Sequence, residues 1–349
     1  MASRKATILD VARLAGVSRT TVSRVLNEPD RVPPATVQQV RRAVEQLNYS
    51  PSPAARTLRN GRTGTLALLV GDISQPFHGG LARAISREAE SRGMSVMLYD
   101  LGHSEDRLRQ AVGRLPQQGV DGVILATADP LEDPETLMAL NALEDHRIPL
   151  ITTLPRPEIR SSIALNVDHA AEGMLATRRL LEAGSSDITL LVNSDYSPLA
   201  AALIAGASVE LSGQGAKPTV VKSSYDFDEA LEVAGHWLDG RDLDATHGVV
   251  AATVPMALGL IRAAETRRLA IPNDLMVIAC EEVSLAGMAY PPITTVAVDA
   301  DTNGAEILLL LTEAFSGVSS RAPIITPVLR ERGTVREPVK VLAAPSAVA

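Results

Sequence analysis

From Thr65 onward the chain alternates between two kinds of segment. Short apolar runs occur at TLALLV (65–70), SVMLYD (95–100), GVILAT (122–127), PLITT (149–153), ITLLV (188–192), GVVAA (248–252) and LMVIA (275–279). Between them lie longer stretches with helical spacing, such as GGLARAISREAESRG (79–93) and HAAEGMLATRRLLEAG (169–184). Apolar runs with no polar alternation belong to strands buried on both faces, and strands joined through helices lie parallel. There are too many such units for one tidy sheet. The pattern predicts an α/β body of two doubly wound parallel-sheet lobes with a ligand crevice between them.

Charge separates the first part of the chain from this body. Residues 1–63 hold 11 Lys and Arg against four Asp and Glu, a net of +7, which leaves −15 on the remaining 286 residues. A basic head attracts a polyanion and an acidic body repels one, so nucleic acid is the expected partner. The alternative is a solubilising surface. Length supports two or three domains with real cores. The single cysteine, Cys280, excludes an intramolecular disulfide and fits a reducing cytoplasm. No run of 18 apolar residues occurs, and MASRKATILD lacks the apolar stretch of a signal peptide, so no membrane partner is expected.

Within the head, TILDVARLAGVSRTTVSRVLN (7–27) carries two helices and a turn. Thr7 with Asp10 fits a capping box, and Ile8, Val11, Ala12 and Ala15 then share one helical face. Gly16 suits the left-handed turn that ends the helix, and Ser18 caps the next. On that second helix Val22, Val25 and Leu26 form one face, while Arg19, Thr20, Ser23 and Arg24 form the other. A third helix starts near Pro34 with Val37, Val40, Val44 and Leu47 as its stripe. Three such helices make a helix-turn-helix head. The polar face of the second fits a major groove about 12 Å wide, where an arginine forks onto guanine O6 and N7. Arg19, Thr20 and Arg24 are the candidate base readers, and Thr7, Ser18, Thr21, Ser23 and Asn27 are candidate phosphate donors. A plain three-helix module with a solvated face is the competing interpretation.

The segment 7–27 resembles the head of the LacI/GalR family of repressors. It matches the family signature T-x-x-D-V-A-x-x-A-G-V-S-x-x-T-V-S-R-V-L-N at every fixed position. The resemblance makes the variable pair Arg19-Thr20 the main base readers, beside Arg24. It also gives meaning to NYSPSPAARTLRNGRTG (48–64), a basic strip whose Leu58 has no large apolar neighbour. Tyr49, Pro51, Ala55, Arg56 and Leu58 fall where the family has its hinge helix, which folds on operator DNA and inserts a leucine into the minor groove. Ser52 can cap such a helix and Pro53 suits its first turn, while so short a helix is marginal alone. An apolar wedge in a basic strip is what a minor-groove binder needs. A flexible tether would use the same composition. The expected organisation is a head at 1–50, a hinge helix or linker at 51–63, an effector-binding and dimerisation body at 64–338, and a tail at 339–349.

VDGVILA (120–126), IPLITT (148–153) and YPPITTVAVD (290–299) resemble the family's sensor domain, which is similar to periplasmic sugar-binding proteins. The body departs from the family at its effector positions. Phe77 and His78 stand where an aromatic pair is usual, Leu203 replaces an arginine, Ala207 an aromatic, Thr253-Val254 an Asn-Asp pair, and Cys280-Glu281-Glu282 the usual F-D-D. Asp72 and Asp168 survive, and Tyr225 roughly matches an aromatic site. The resemblance therefore implies an effector site around Asp72, Phe77, His78, Asp168, Tyr225 and Glu281. Losing the arginine removes a bidentate donor, so the cleft takes a different effector or binds nothing well. Asp72 and Asp168 also suit helix capping.

The leading function is a dimeric transcription factor, a repressor on a palindromic operator, with a tetramer open and a small-molecule effector tuning it. The alternative is a small-molecule receptor without a DNA role. Walker A, H-E-x-x-H, G-x-S-x-G and G-x-G-x-x-G are all absent, so neither an enzyme nor a cofactor or catalytic metal is expected. Cys280 alone at a strand end fits a buried structural thiol.

Overall fold

Thr7 opens α1 (Ile8–Leu14) with a complete capping box: its hydroxyl accepts the Asp10 N–H, and the Asp10 carboxylate accepts the Thr7 N–H at 2.9 Å. Gly16 takes φ +60°, where glycine has no steric penalty, and turns the chain into α2 (Arg19–Asn27). A short 3₁₀ turn at Pro29–Arg31 leads to α3 (Pro34–Gln46). Val11, Val22, Val25 and Val40 meet in one small core, with Ala12, Ala15 and Ala43 letting the helices approach. Of the expected stripes, Val11, Ala12, Ala15, Val22, Val25 and Val40 are buried, and Ile8, Leu26, Val37, Val44 and Leu47 are half-buried against them. The computed structural model describes residues 6–47, 49, 62–193, 197–241, 247–318 and 323–339. Residues 51–61 of the proposed hinge segment, and all of the tail except Val339, lie outside them. The chain divides into two compact units, Met1–Gly64 and Thr65–Ala349.

The second unit is built from two lobes. In the first lobe the strands are β1 (Thr65–Val70), β2 (Ser95–Asp100), β3 (Gly122–Ala126), β4 (Leu150–Thr152) and β5 (Ser162–Ala164), in parallel order β2-β1-β3-β4-β5. Its helices are α4 (Pro76–Ser91), α5 (Glu105–Gln118) and α6 (Pro134–Ala142). The second lobe follows with α7 (His169–Glu182), β6 (Asp187–Val192), α8 (Pro198–Ser212), β7 (Thr219–Lys222), α9 (Phe227–Asp239), β8 (His247–Ala251), α10 (Val254–Thr266), β9 (Leu275–Ala279), α11 (Ser284–Met288) and β10 (Thr294–Ala297). After α12 (Ala300–Phe315) comes β11 (Val328–Arg330), which pairs antiparallel with β10 and completes the order β11-β10-β9-β8-β6-β7. The seven apolar runs are all strands; β3, β8 and β9 are buried along their whole length, and β1 is buried except at Thr65.

The chain crosses between lobes three times. It passes from β5 to α7, from β10 to α12, and from α12 to β11. Two crossovers run side by side, with Val167 bridging Ile325 and the Asp168 N–H donating to the Ile325 carbonyl at 3.0 Å. The helix α12 belongs to the first lobe, where Ile307, Leu308, Leu310 and Leu311 pack with Leu66, Leu68 and Ile85. In the second lobe α7 and α8 touch backbone to backbone. A Cβ on Gly206 would lie 1.8 Å from the Ala170 carbonyl oxygen, and one on Gly173 would lie 2.2 Å from that of Leu203. Leu203, at the position where the family resemblance led us to look for a pocket arginine, is fully buried in this lobe's core.

Candidate functional sites on the head and in the interlobe cleft

The first candidate site is the outer face of α2. The Ser18 hydroxyl accepts the Thr21 N–H at 3.0 Å and lies 2.6 Å from the Thr20 hydroxyl and 2.8 Å from that of Thr21, which fixes the first turn. Burial of Val22 and Val25 then sets the helix rotation. Ser18, Arg19, Thr20 and Arg24 are exposed on the opposite side, and Thr21 and Ser23 are half-buried. Neither Arg19 nor Arg24 has a carboxylate partner among the described residues. Thr7 directs its hydroxyl proton at Asp10, 2.7 Å away, so its role is first of all to cap α1. The Asn27 side chain and residues Ala55, Arg56 and Leu58 fall outside the described residues.

The second candidate site is the cleft between the lobes of the body, at the carboxyl ends of the strands. Its inner part is a cavity of about 110 Å³, and an outer mouth holds about 860 Å³; Gln75, His103, Asp129 and Tyr225 line both. Phe77, His78, Tyr225 and Glu281 line the inner cavity, and Asp72 lines the mouth. Asp168 lines neither. It caps α7, accepting the Ala171 N–H at 2.9 Å.

From the first lobe, Pro76 starts α4 and puts Phe77 and His78 in its first turn, with their rings edge to face at 5.6 Å. His78 Nδ1 lies 2.7 Å from the Asp72 carbonyl, a distance that assigns the proton to Nδ1 and leaves Nε2 an acceptor. Burial pushes the His78 pKa down and keeps the ring neutral. Asp72 accepts the Ser74 N–H at 2.8 Å. His103, held at φ +56°, places Nδ1 2.9 and 3.0 Å from the two Asp129 oxygens. The buried Arg156 donates to the carbonyls of Thr127 (2.9 Å) and Asp129 (2.7 Å) and pins that loop.

From the second lobe, His169 and Glu172 pair at 2.8 Å in the first turn of α7; burial raises the Glu172 pKa and the His169 contact opposes it. Glu281 follows β9 and accepts the Val254 N–H at 2.7 Å; burial raises its carboxyl to about 7. Glu282 accepts from Arg332 at 2.7 Å and lies 3.6 Å from Arg330. Burial pushes the Tyr225 phenol up to about 12 and the Cys280 thiol well up, so both keep their protons. From α12, which returns to the first lobe, Asn303 enters the cavity wall. It is 5% exposed, and its Oδ1 has no hydrogen-bond partner.

Sequence reasoning missed Asn303, Asp129, His103 and the His169–Glu172 pair. The i,i+3 spacing of the last was visible. The others depend on which loops and crossovers meet. Among the described residues no cluster of His, Cys, Asp and Glu is fit to hold a metal ion, and no helix is long and apolar enough to cross a membrane.

Residues 7–52 match the profile of bacterial regulatory proteins of the lacI family, and residues 177–335 match that of the periplasmic binding protein-like domain. The HTH-type transcriptional regulator DegA of Bacillus subtilis (strain 168) is 31% identical over 306 residues, covering 86% of this chain and 89% of that protein. Among solved structures, the complex of the transcriptional regulator CelR with cellobiose is 27% identical, covering 94% of this chain and 99% of its own, with a TM-score of 0.66. The Lac repressor dimer bound to operator and the anti-inducer ONPF shares the fold at a TM-score of 0.79, with 23% identity over 95% of this chain and 99% of that one.

Proposed function

Because the chain belongs to the lacI family of bacterial regulatory proteins, and so is a DNA-binding transcriptional regulator rather than an enzyme, we propose that it is a dimeric repressor whose grip on a near-palindromic operator is set by a small molecule in the interlobe cleft. The observation that carries this reading is the exposed face of α2, where Arg19, Thr20 and Arg24 stand free of carboxylates among the described residues on a capped helix. Such a helix enters the major groove, and each arginine forks onto a guanine. Ser18, Thr21 and Ser23 orient it on the phosphates.

One head offers little contact area, so two act together through a dimer of the bodies. Two-fold symmetry in the protein then demands two-fold symmetry in the DNA. The strip 48–64 joins head to body and supplies Leu58 as a wedge that kinks the duplex from the minor groove. The solved complexes of CelR with cellobiose and of the Lac repressor with an anti-inducer support a small effector in the cleft. Effector and operator binding are then linked reciprocally. The site of action is the cytoplasm.

The test is selection of DNA fragments by the pure full-length protein, followed by sequencing. A two-fold symmetric consensus is the expected result. An asymmetric single half-site, or no enrichment, overturns the proposal.

A further inference from the structure

The polar groups lining the inner cavity sort into those already satisfied and those that are not. Among the carboxylates, Asp129 has His103, Glu172 has His169, and Glu282 has Arg332 and Arg330. Tyr225 and Cys280 keep their protons. Glu281 is different. It is 8% exposed, its hydrogen bond is to a single backbone N–H, and no cation pairs with it among the described residues. Among the described residues no Lys or Arg lines the inner cavity, and Lys222 is the one lysine or arginine lining the mouth, against Asp72, Asp129, Asp226 and Glu229.

The cavity also presents neutral acceptors without donors. Asn303 Oδ1 is buried in the wall and unpartnered, and the His78 tautomer leaves Nε2 as a lone pair. A buried acceptor with nothing to accept is costly, and a buried carboxylate without a cation costs more. These acceptors are evidence independent of the acidic groups. Both point to a ligand rich in N–H and O–H donors and carrying positive charge. Phe77 and Leu154 add apolar wall for a ring.

We propose that the cleft takes a small cation, an ammonium group carried on a hydroxylated ring as in an amino sugar, with Glu281 as its counter-charge and Asn303 Oδ1 and His78 Nε2 as acceptors for its donors. This rests on the effector reading of the cleft. A neutral sugar fills the same acceptors but leaves Glu281 without a partner. The arginine that would repel a cation is absent, because Leu203 stands there, buried in the core. Binding of the cation also favours the ionised form of Glu281, so a proton leaves as the ligand enters.

Isothermal titration of the full chain with D-glucosamine, D-glucose and D-glucuronate at about pH 7 tests this. Glucosamine is expected to bind about tenfold or more tighter than glucose, the scale of a charge-assisted over a neutral hydrogen bond, and glucuronate least of all. In Glu281→Gln the preference for glucosamine over glucose should vanish. The wild-type protein gives a second measure that needs no variant. Titrations in buffers of different ionisation heat should show a fraction of a proton released with glucosamine and none with glucose. Glucose binding as tightly as glucosamine, no binding of glucosamine up to about 10 mM, or a preference that persists in Glu281→Gln overturns the proposal. None of these outcomes touches the operator selection, which tests the DNA-binding reading separately.

Discussion

Replacing Glu281 with glutamine should stabilise the body, and only at neutral to alkaline pH. The Glu281 carboxyl is raised from its ordinary 4.5 to about 7 by burial, and the Val254 N–H that it accepts only partly offsets this. In the unfolded chain it ionises near 4.5. Between the two values the folded protein holds a proton that the unfolded chain has released, so stability falls as pH rises through that window. A gap of about 2.5 pH units at 1.36 kcal/mol each is a penalty of about 3 kcal/mol once pH exceeds 7. Glutamine has nearly the same volume, and its carbonyl can accept the same N–H, so the variant keeps the contact without the buried charge. Urea unfolding followed by the fluorescence of Trp237, the chain's one tryptophan, reports on the second lobe, where that residue packs. Glu281→Gln should be more stable than wild type by about 3 kcal/mol at about pH 8, and the difference should shrink to under about 0.5 kcal/mol near pH 4. A difference that does not change with pH, or a variant less stable at pH 8, refutes the burial argument for this carboxylate. Retention of such a residue against its own cost is what a binding site, rather than a core, would do.

Arg24→Ala should cost about 1–3 kcal/mol on the selected operator and much less on random DNA; equal losses in a binding titration make Arg24 a phosphate contact instead. Leu58→Ala should weaken operator binding and reduce the bend seen in a circular-permutation assay while leaving effector affinity in free protein unchanged, and an unaltered bend would reduce 51–63 to a tether. Gly206→Ala forces α7 and α8 apart against the Ala170 carbonyl and should destabilise the second lobe by about 3 kcal/mol, at the upper end of overpacking costs; a urea midpoint within error of wild type would show that the helices slide freely.

The elements with strong local signals were legible in the chain. The Thr7–Asp10 box, the glycine turn at Gly16 and the stripe on α3 needed no long-range information. Nor did β1 or β9, whose apolar runs are buried on both faces. Four strands went unread: β5, β7 and β11 have three or four half-buried or exposed residues and take their structure from the neighbour they pair with, and β10, though buried, is only the four residues TTVA. The cleft was read in part because the family resemblance pointed to Phe77, His78, Tyr225 and Glu281, which line it. Asn303 was not, because nothing local says that α12 leaves the lobe of β10 and joins the other one. Its amide stands beside Asp301, Thr302 and Glu306 in ADTNGAEILLLL, so composition did not single it out either. Asp168 shows the opposite case, a residue with a capping position and a resemblance to a ligand contact, which the structure uses as a cap.

The return of α12 to the first lobe also governs the order in which the molecule can be made. The first lobe's core is closed by Leu308 and Leu311 packing near β1 and β3, and a side chain on Gly122 would touch Leu311 at 2.8 Å. A growing chain that has reached the end of β5 therefore has Leu66, Leu68 and Ile124 without their cover, and must wait for about 150 further residues at roughly 5–20 residues per second. Contacts so far apart in sequence also form slowly once the chain is complete. The three-helix head has only local contacts and needs no such wait. During synthesis the part that reads DNA is thus finished well before the part that senses, and the half-built first lobe is where chaperones have most to hold and where a truncated product should aggregate.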